Sequence, residues 1–292
     1  MTVHLHIGAG KVGSTTIQHA AARHQATLAA AGLLYPVNAV WRRSHAALAQ
    51  ELRGRAGTGS LELLRATLAA HDGDVLLSSE FFNAVPRPGV EALRDALGDR
   101  PARIIMYLRP YPDWVRAAYS QQAKRGRFLE DFDHFCAGRT VRFGSRLATW
   151  AGVFGWSSVH VRTVDEIGGD VLGDLSALLG VALPTVAPAN VSPAWTAVET
   201  ARWLAARGRG GVDLPAVVAR VDAAHRELGL PLQADYLTGD QRRTFTEQWR
   251  ADLERISAAT GRALPAPASD ERSRPWLPTF ERVPEALRAL AL

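Results

Sequence analysis

Three short segments of this sequence carry residues whose types and spacing could do chemistry. The first is Gly8-Ala9-Gly10-Lys11-Val12-Gly13-Ser14-Thr15-Thr16, which follows the short β-type run Val3 to Ile7 and precedes an Ala-rich stretch. A glycine loop between a strand and a helix offers unpaired backbone N–H groups and the positive end of the helix dipole, a setting that suits an anion. Lys11 adds a full positive charge. The second segment is Ser78-Ser79-Glu80, where a carboxylate closes the apolar run Val75-Leu76-Leu77, and the third is Arg109, which closes Ile104 to Leu108. Ligands of open parallel sheets bind outside the carboxyl ends of the strands, where all three segments are expected to lie. The surrounding charge agrees: from Met1 to Gln50 there is no Asp or Glu, while Lys11, Arg23, Arg42 and Arg43 are present.

The loop alone admits several chemistries. Gly8-x-Gly10-x-x-Gly13 fits a dinucleotide fingerprint, which calls for an acidic residue about 20 positions on to hold a ribose hydroxyl. The first acidic residue is Glu51. Arg42 or Arg43 could meet a 2′-phosphate instead, so an NADP-dependent oxidoreductase stays open. A nucleotide triphosphatase loop needs Lys after its last Gly, whereas Lys11 precedes Gly13. A tight turn with an exposed lysine is a further reading. His4 and His6 fall on one face of a strand and mimic the His-x-His of metal hydrolases, but such sites need further ligands at other strand ends, and packing in the sheet is expected.

The elements that must position these residues follow from periodicity. Val3–Ile7, Leu33–Pro36, Asp74–Ser79, Arg103–Arg109 and Ser158–Val164 read as strands, several of them continuous apolar runs buried on both faces. Helical patterns alternate with them, among them Ile17–Ala31, Gly89–Leu97, Pro112–Arg125 and Val171–Leu179, which implies an α/β fold with a mainly parallel sheet flanked by helices. From about Ser192 strand signals vanish, and Ala194–Arg207, Pro215–Leu228 and Asp240–Thr260 form a C-terminal helical part. The expected organisation is one domain over 1–262 and a Pro-rich tail over 263–292, extended for most of its length. At 292 residues the chain is long enough for a full core without disulfides, and its single cysteine excludes sites built on several. A net charge of +5 points to an anionic ligand more than to a nucleic acid. Neither a membrane span nor a signal peptide is legible, so a cytoplasmic location is expected.

Taken together, the motifs resemble those of sulfotransferases that use 3′-phosphoadenosine 5′-phosphosulfate (PAPS). Lys11-Val12-Gly13-Ser14-Thr15-Thr16 is similar to the family's 5′-phosphosulfate loop, Pro-Lys-x-Gly followed by three Ser or Thr, with Gly10 in place of the Pro. Arg109-Pro110-x-x-Asp113-x-x-x-x-x-Tyr119 resembles its 3′-phosphate segment, and Leu77-Ser78-Ser79-Glu80 resembles the strand-end Ser-Ser-Glu of many bacterial members. One position departs: Ala117 stands where the family usually has Ser.

The resemblance implies a P-loop-like fold and transfer of a sulfuryl group from PAPS to a hydroxyl or amine of a small-molecule, glycan or lipid acceptor, with no metal. The helices after about Ser192 would form part of the acceptor side. Gly10, Lys11, Val12, Gly13, Ser14, Thr15, Thr16 and Arg109 would bind the nucleotide, Lys11 and Glu80 would be catalytic, and His45 and Glu80 would contact the acceptor. A non-catalytic relative that binds nucleotide or polyanion is the further alternative.

Overall fold

The computed structural model describes residues 1–55, 57–140, 142–185, 192–208, 211–265 and 272–290. From the N-terminus, β1 (Val3–His6) leads into α1 (Ser14–Arg23), α2 (Gln25–Ala30) and the short β2 (Leu33–Leu34). Then α3 (Ala46–Leu52) and α4 (Ser60–Ala69) precede β3 (Asp74–Ser78), and α5 (Arg87–Leu97) precedes β4 (Ala102–Leu108). Next come α6 (Tyr111–Ala123), α7 (Phe132–Cys136), α8 (Phe143–Phe154) and β5 (Val159–Thr163). After α9 (Val171–Leu179) the described elements are helical: α10 (Trp195–Ala206), α11 (Leu214–Glu227), α12 (Gly239–Thr260) and α13 (Glu285–Ala289). The expected helix Ile17–Ala31 is two helices, because the backbone leaves helical geometry at His24 (φ −113°, ψ 25°).

The chain divides into two compact units. Unit 1 comprises Met1–Arg109, Arg142–Asn190 and Ala251–Ala266; unit 2 comprises Pro110–Val141, Val191–Arg250 and Pro267–Leu292. Unit 1 is the α/β part. Its five strands lie in the order β2-β3-β1-β4-β5, every pairing parallel, with Leu5 opposite Leu77 on one side and Ile104 on the other. The central strand is fully enclosed, since Val3, Leu5 and Ile7 have no exposed surface. Ile17, Ala20 and Ala21 of α1 pack with Leu76, Ile105 and Tyr107 of the sheet and Leu172 and Leu175 of α9. The chain leaves β1 toward the β2 edge and leaves β4 toward the β5 edge, so the loop after β1 stands where the winding reverses, the usual place for a ligand in such sheets.

Unit 2 is helical. Ala197 and Leu204 of α10, Val217 and Val221 of α11, and Phe280, Val283 and Leu287 share one core. The last three belong to the stretch expected to be extended. Instead, Phe280–Arg282 is a 3₁₀ turn and Pro284 caps α13, a position where proline opens a helix rather than breaking it. Trp203 stacks on Phe280 with ring centroids 4.0 Å apart. Residues 266–271 and 291–292 of that stretch lie outside the described residues.

Candidate functional site

The loop after β1 is shaped by the strands on either side. Ile7 and Ala9 donate their N–H groups to Ile105 O and Tyr107 O, each at 2.9 Å, and Tyr107 N–H donates to Gly8 O at 2.8 Å. From the β3 side, Asn83 N–H donates to Ile7 O at 3.1 Å. The backbone then turns through positive φ at Gly8 (111°), Lys11 (70°) and Gly13 (94°). For Lys11 this conformation costs about 1–2 kcal/mol, and residues held so cluster at ligand sites. Gly13 is fixed by sterics as well as by φ, because a Cβ there would lie 2.8 Å from Val171 Cγ2.

Gly13 caps α1 with no side chain to accept from the first turn. Thr16 and Ile17 donate their N–H groups to Gly13 O at 2.8 and 3.1 Å, and among the described residues the amides of Ser14 and Thr15 at the helix end meet no acceptor. The Ser14 hydroxyl donates to Ala9 O at 3.1 Å and so braces the loop. Arg109, just past β4, donates from Nη1 to Lys11 O at 3.3 Å. Lys11, Val12, Gly13, Thr16 and Arg109 line one cleft of about 350 Å³, together with Val164, Thr185 and the start of α9 from Gly169 to Leu172. Asp170 caps α9 by accepting from Gly173 N–H at 2.8 Å.

Glu80 follows β3 and lies against the loop: a Cβ on Gly10 would be 4.0 Å from Glu80 Cβ and Cγ. Gln18 Nε2 donates to Glu80 Oε2 at 3.1 Å. Among the described residues no donor reaches Oε1. Its main chain is held separately, for Asn83 Nδ2 donates to Glu80 O, and Asn83 Oδ1 accepts from Arg146 Nη1 at 2.5 Å. Gln18, Asn83 and Arg146 escaped the sequence reading. No motif marks Gln18; its burial beside Ile17, Ala20 and Ala21 is visible only in the fold.

His45 is placed differently from its expected acceptor contact. It is fully buried, packed against Tyr35 and Trp41, and both ring nitrogens are committed to backbone. Ser78 N–H donates to Nδ1 at 3.0 Å, and Nε2 donates to Pro36 O at 3.1 Å. Burial pushes its pKa down to about 4, so the ring is neutral and ties the segment after β2 to the end of β3. Ser78 Oγ in turn meets His6 Nδ1 at 2.8 Å. His6 is also pushed down to about 4 by burial, and His4 is lowered by burial against the pull of Asp74, which it meets at 3.2 Å. Among the described residues no group of three or more His, Cys, Asp or Glu could hold a metal ion. Tyr119 is buried within unit 2, where its hydroxyl donates to Glu199 Oε1 at 2.9 Å, and Ala117 is half-buried on α6.

No protein-family model matches this chain, and no curated protein matches it in sequence. Among solved structures it is similar to the sulfotransferase from Alicyclobacillus acidocaldarius, with a TM-score of 0.51 and 14% identity over 89% of this chain and 95% of that one. At that identity the likeness is one of fold: an α/β architecture around a parallel sheet. Among the described residues no helix is long and apolar enough to cross a membrane.

Proposed function

We propose that the chain is a PAPS-dependent sulfotransferase whose catalytic apparatus lies at the carboxyl end of the unit 1 sheet. One observation carries the reading: Lys11 and Arg109 line the same cleft as the loop that opens α1, and Glu80 lies against Gly10 of that loop. Two cations and the open amides of Ser14 and Thr15 suit a ligand with two anionic groups, and the adjacent carboxylate suits proton removal. The strand order favours this reading over an NADP-dependent oxidoreductase. In the dinucleotide fold β2 adjoins β1, so the residues after it reach the ribose; here β3 intervenes, and Arg42 and Arg43 follow a strand one place further out.

In this reading Gly10, Lys11, Val12, Gly13, Ser14, Thr15 and Thr16 surround the phosphosulfate. Arg109, with backbone groups, holds the 3′-phosphate in the absence of a hydroxyl at Ala117. The acceptor oxygen attacks sulfur in line as the bond from sulfur to the 5′-phosphate oxygen breaks. The electron pair of that bond stays on the leaving oxygen, where Lys11 offsets the growing charge, and the acceptor proton passes to Glu80. Adenosine 3′,5′-bisphosphate and the sulfated acceptor depart. His45 holds the end of β3 and has no ring nitrogen left for an acceptor.

Calorimetry with adenosine 3′,5′-bisphosphate tests the nucleotide site; binding with a rise in melting temperature is expected, and no heat at millimolar ligand would sink the assignment. Labelled PAPS with pooled hydroxyl and amine acceptors, read by mass spectrometry for the transferred group, then identifies the acceptor.

A further inference from the structure

We propose that Gln18 is a positioning residue for Glu80, its carboxamide fixing which carboxylate oxygen is presented to the acceptor; this rests on the reading of Glu80 as the base. Gln18 is only 7% exposed and sits among Ile17, Ala20 and Ala21, which are wholly buried. An amide in such surroundings is costly unless paired, and its Nε2 finds Glu80 Oε2 at 3.1 Å across 62 residues of sequence. The main chain of Glu80 is already anchored through Asn83 and Arg146. Its side-chain torsions are not, and among the described residues Gln18 is the one donor to that carboxylate. Oε2 is therefore occupied and Oε1 is left to take the proton.

Two features suit the task. A neutral donor orients a carboxylate without setting a positive charge beside it, and such a charge is what would most weaken a base. Gln18 also rides on α1, the helix whose first turn follows Gly13, so the phosphate loop and the carboxylate are referred to one rigid element. As the acceptor O–H bond breaks and its O–S bond forms, the proton then has a fixed destination.

The test uses the full chain with PAPS as donor and p-nitrophenol as probe acceptor. Release of adenosine 3′,5′-bisphosphate is followed by chromatography, which counts transfer to the phenol and to water alike. Q18M keeps the length of the side chain and removes the donor. Its turnover is expected to fall about 10- to 100-fold, with KM for PAPS and the affinity for adenosine 3′,5′-bisphosphate within about twofold of wild type. In an E80Q background the same change is expected to cost nothing further, because there is no longer a base to position. Near-normal turnover in Q18M, or a loss that adds in full to that of E80Q, overturns the role of Gln18 and leaves that of Glu80 standing. Normal turnover in E80Q, or no bisphosphate from the wild-type chain, overturns the underlying reading and this proposal with it. Q18S, which leaves room for water, is judged by the same criteria should Q18M fail to fold.

Discussion

Two glutamates, Glu80 after β3 in unit 1 and Glu199 on α10 in unit 2, meet their donors in opposite ways. Glu199 is wholly buried; Tyr119 and Tyr236 donate their hydroxyls to Oε1 at 2.9 and 3.1 Å, and Arg202 Nε donates to Oε2 at 2.8 Å. Burial raises its pKa against the pull of these partners, and it raises the phenols of Tyr119 and Tyr236 as well. Both oxygens are spent on holding α6, α10 and the segment at Tyr236 together. Glu80 is half-buried, takes one neutral donor on one oxygen and keeps the other open. A saturated carboxylate in a helical core is a structural tie, whereas one with an oxygen to spare beside an anion-binding loop can exchange a proton. The backbone beside Glu80 differs too: Gly8, Lys11 and Gly13 all take positive φ within the one loop against which Glu80 lies.

Removing the two carboxylates should separate these roles most sharply. Glu80→Gln is expected to cut turnover by about 10² to 10⁴ with nucleotide affinity intact, because the amide keeps the shape but accepts no proton. Lys11→Ala should do likewise, since its charge is needed most as the leaving oxygen gains charge. Glu199→Ala should instead lower stability by about 3–5 kcal/mol, leaving Arg202 without its ion-pair partner and two buried hydroxyls without an acceptor. Urea denaturation and nucleotide-saturated kinetics on the same preparations read both effects. A Glu199 variant that folds as well as wild type yet loses turnover would erase the contrast.

Arg109→Ala sharpens the comparison within unit 1. Its guanidinium lines the cleft and braces Lys11 O, so its loss should weaken adenosine 3′,5′-bisphosphate binding by about 10- to 100-fold, the worth of a charge-assisted hydrogen bond, and change turnover at saturation much less. Calorimetry on this variant beside Lys11→Ala distinguishes a binding cation from a transition-state cation. Equal effects on both parameters in both variants would merge the two roles.

The legibility of the sequence differed between the units for physical reasons. Strands buried on both faces favour continuous apolar runs, so β3 and β4 could be read directly, and the strand-end residues Glu80 and Arg109 with them; β1, with His4 and His6 buried in it, was legible from its β-type alternation and the glycine loop that follows. The glycine loop was legible because its conformation demands Gly13. Gln18 and Asn83 were not, since neutral amides carry no motif and Gln18 meets Glu80 only because β3 lies beside β1. His45 was linked to the acceptor through the family resemblance alone, and only the fold shows that Ser78 and Pro36 occupy both of its nitrogens. In the tail, five prolines masked a helical spacing that is present in Phe280, Val283 and Leu287.

The smallest expected effect concerns His45 and the pH dependence of unit 1. Burial holds its folded-state pKa at about 4, below the value of about 6.5 in an unfolded chain. Between those values the unfolded chain takes up a proton that the folded chain refuses, so this contribution to stability is complete above about pH 6.5 and is lost as pH falls toward 4. The slope is at most about 1.4 kcal/mol per pH unit for each such histidine. His6 and His160, also lowered to about 4, add to the slope of the wild-type chain. His45→Asn should be less stable than wild type at pH 7, because its bonds to Ser78 and Pro36 are lost or lengthened, but it should fall less steeply on acidification. The gap between the two proteins, measured by urea denaturation, is therefore expected to narrow by up to about 2 kcal/mol between pH 7 and pH 5. A gap that stays constant over that range would mean that His45 is not held neutral and buried, and the tie between the segment after β2 and the strand end that carries Glu80 would have to be sought in other residues.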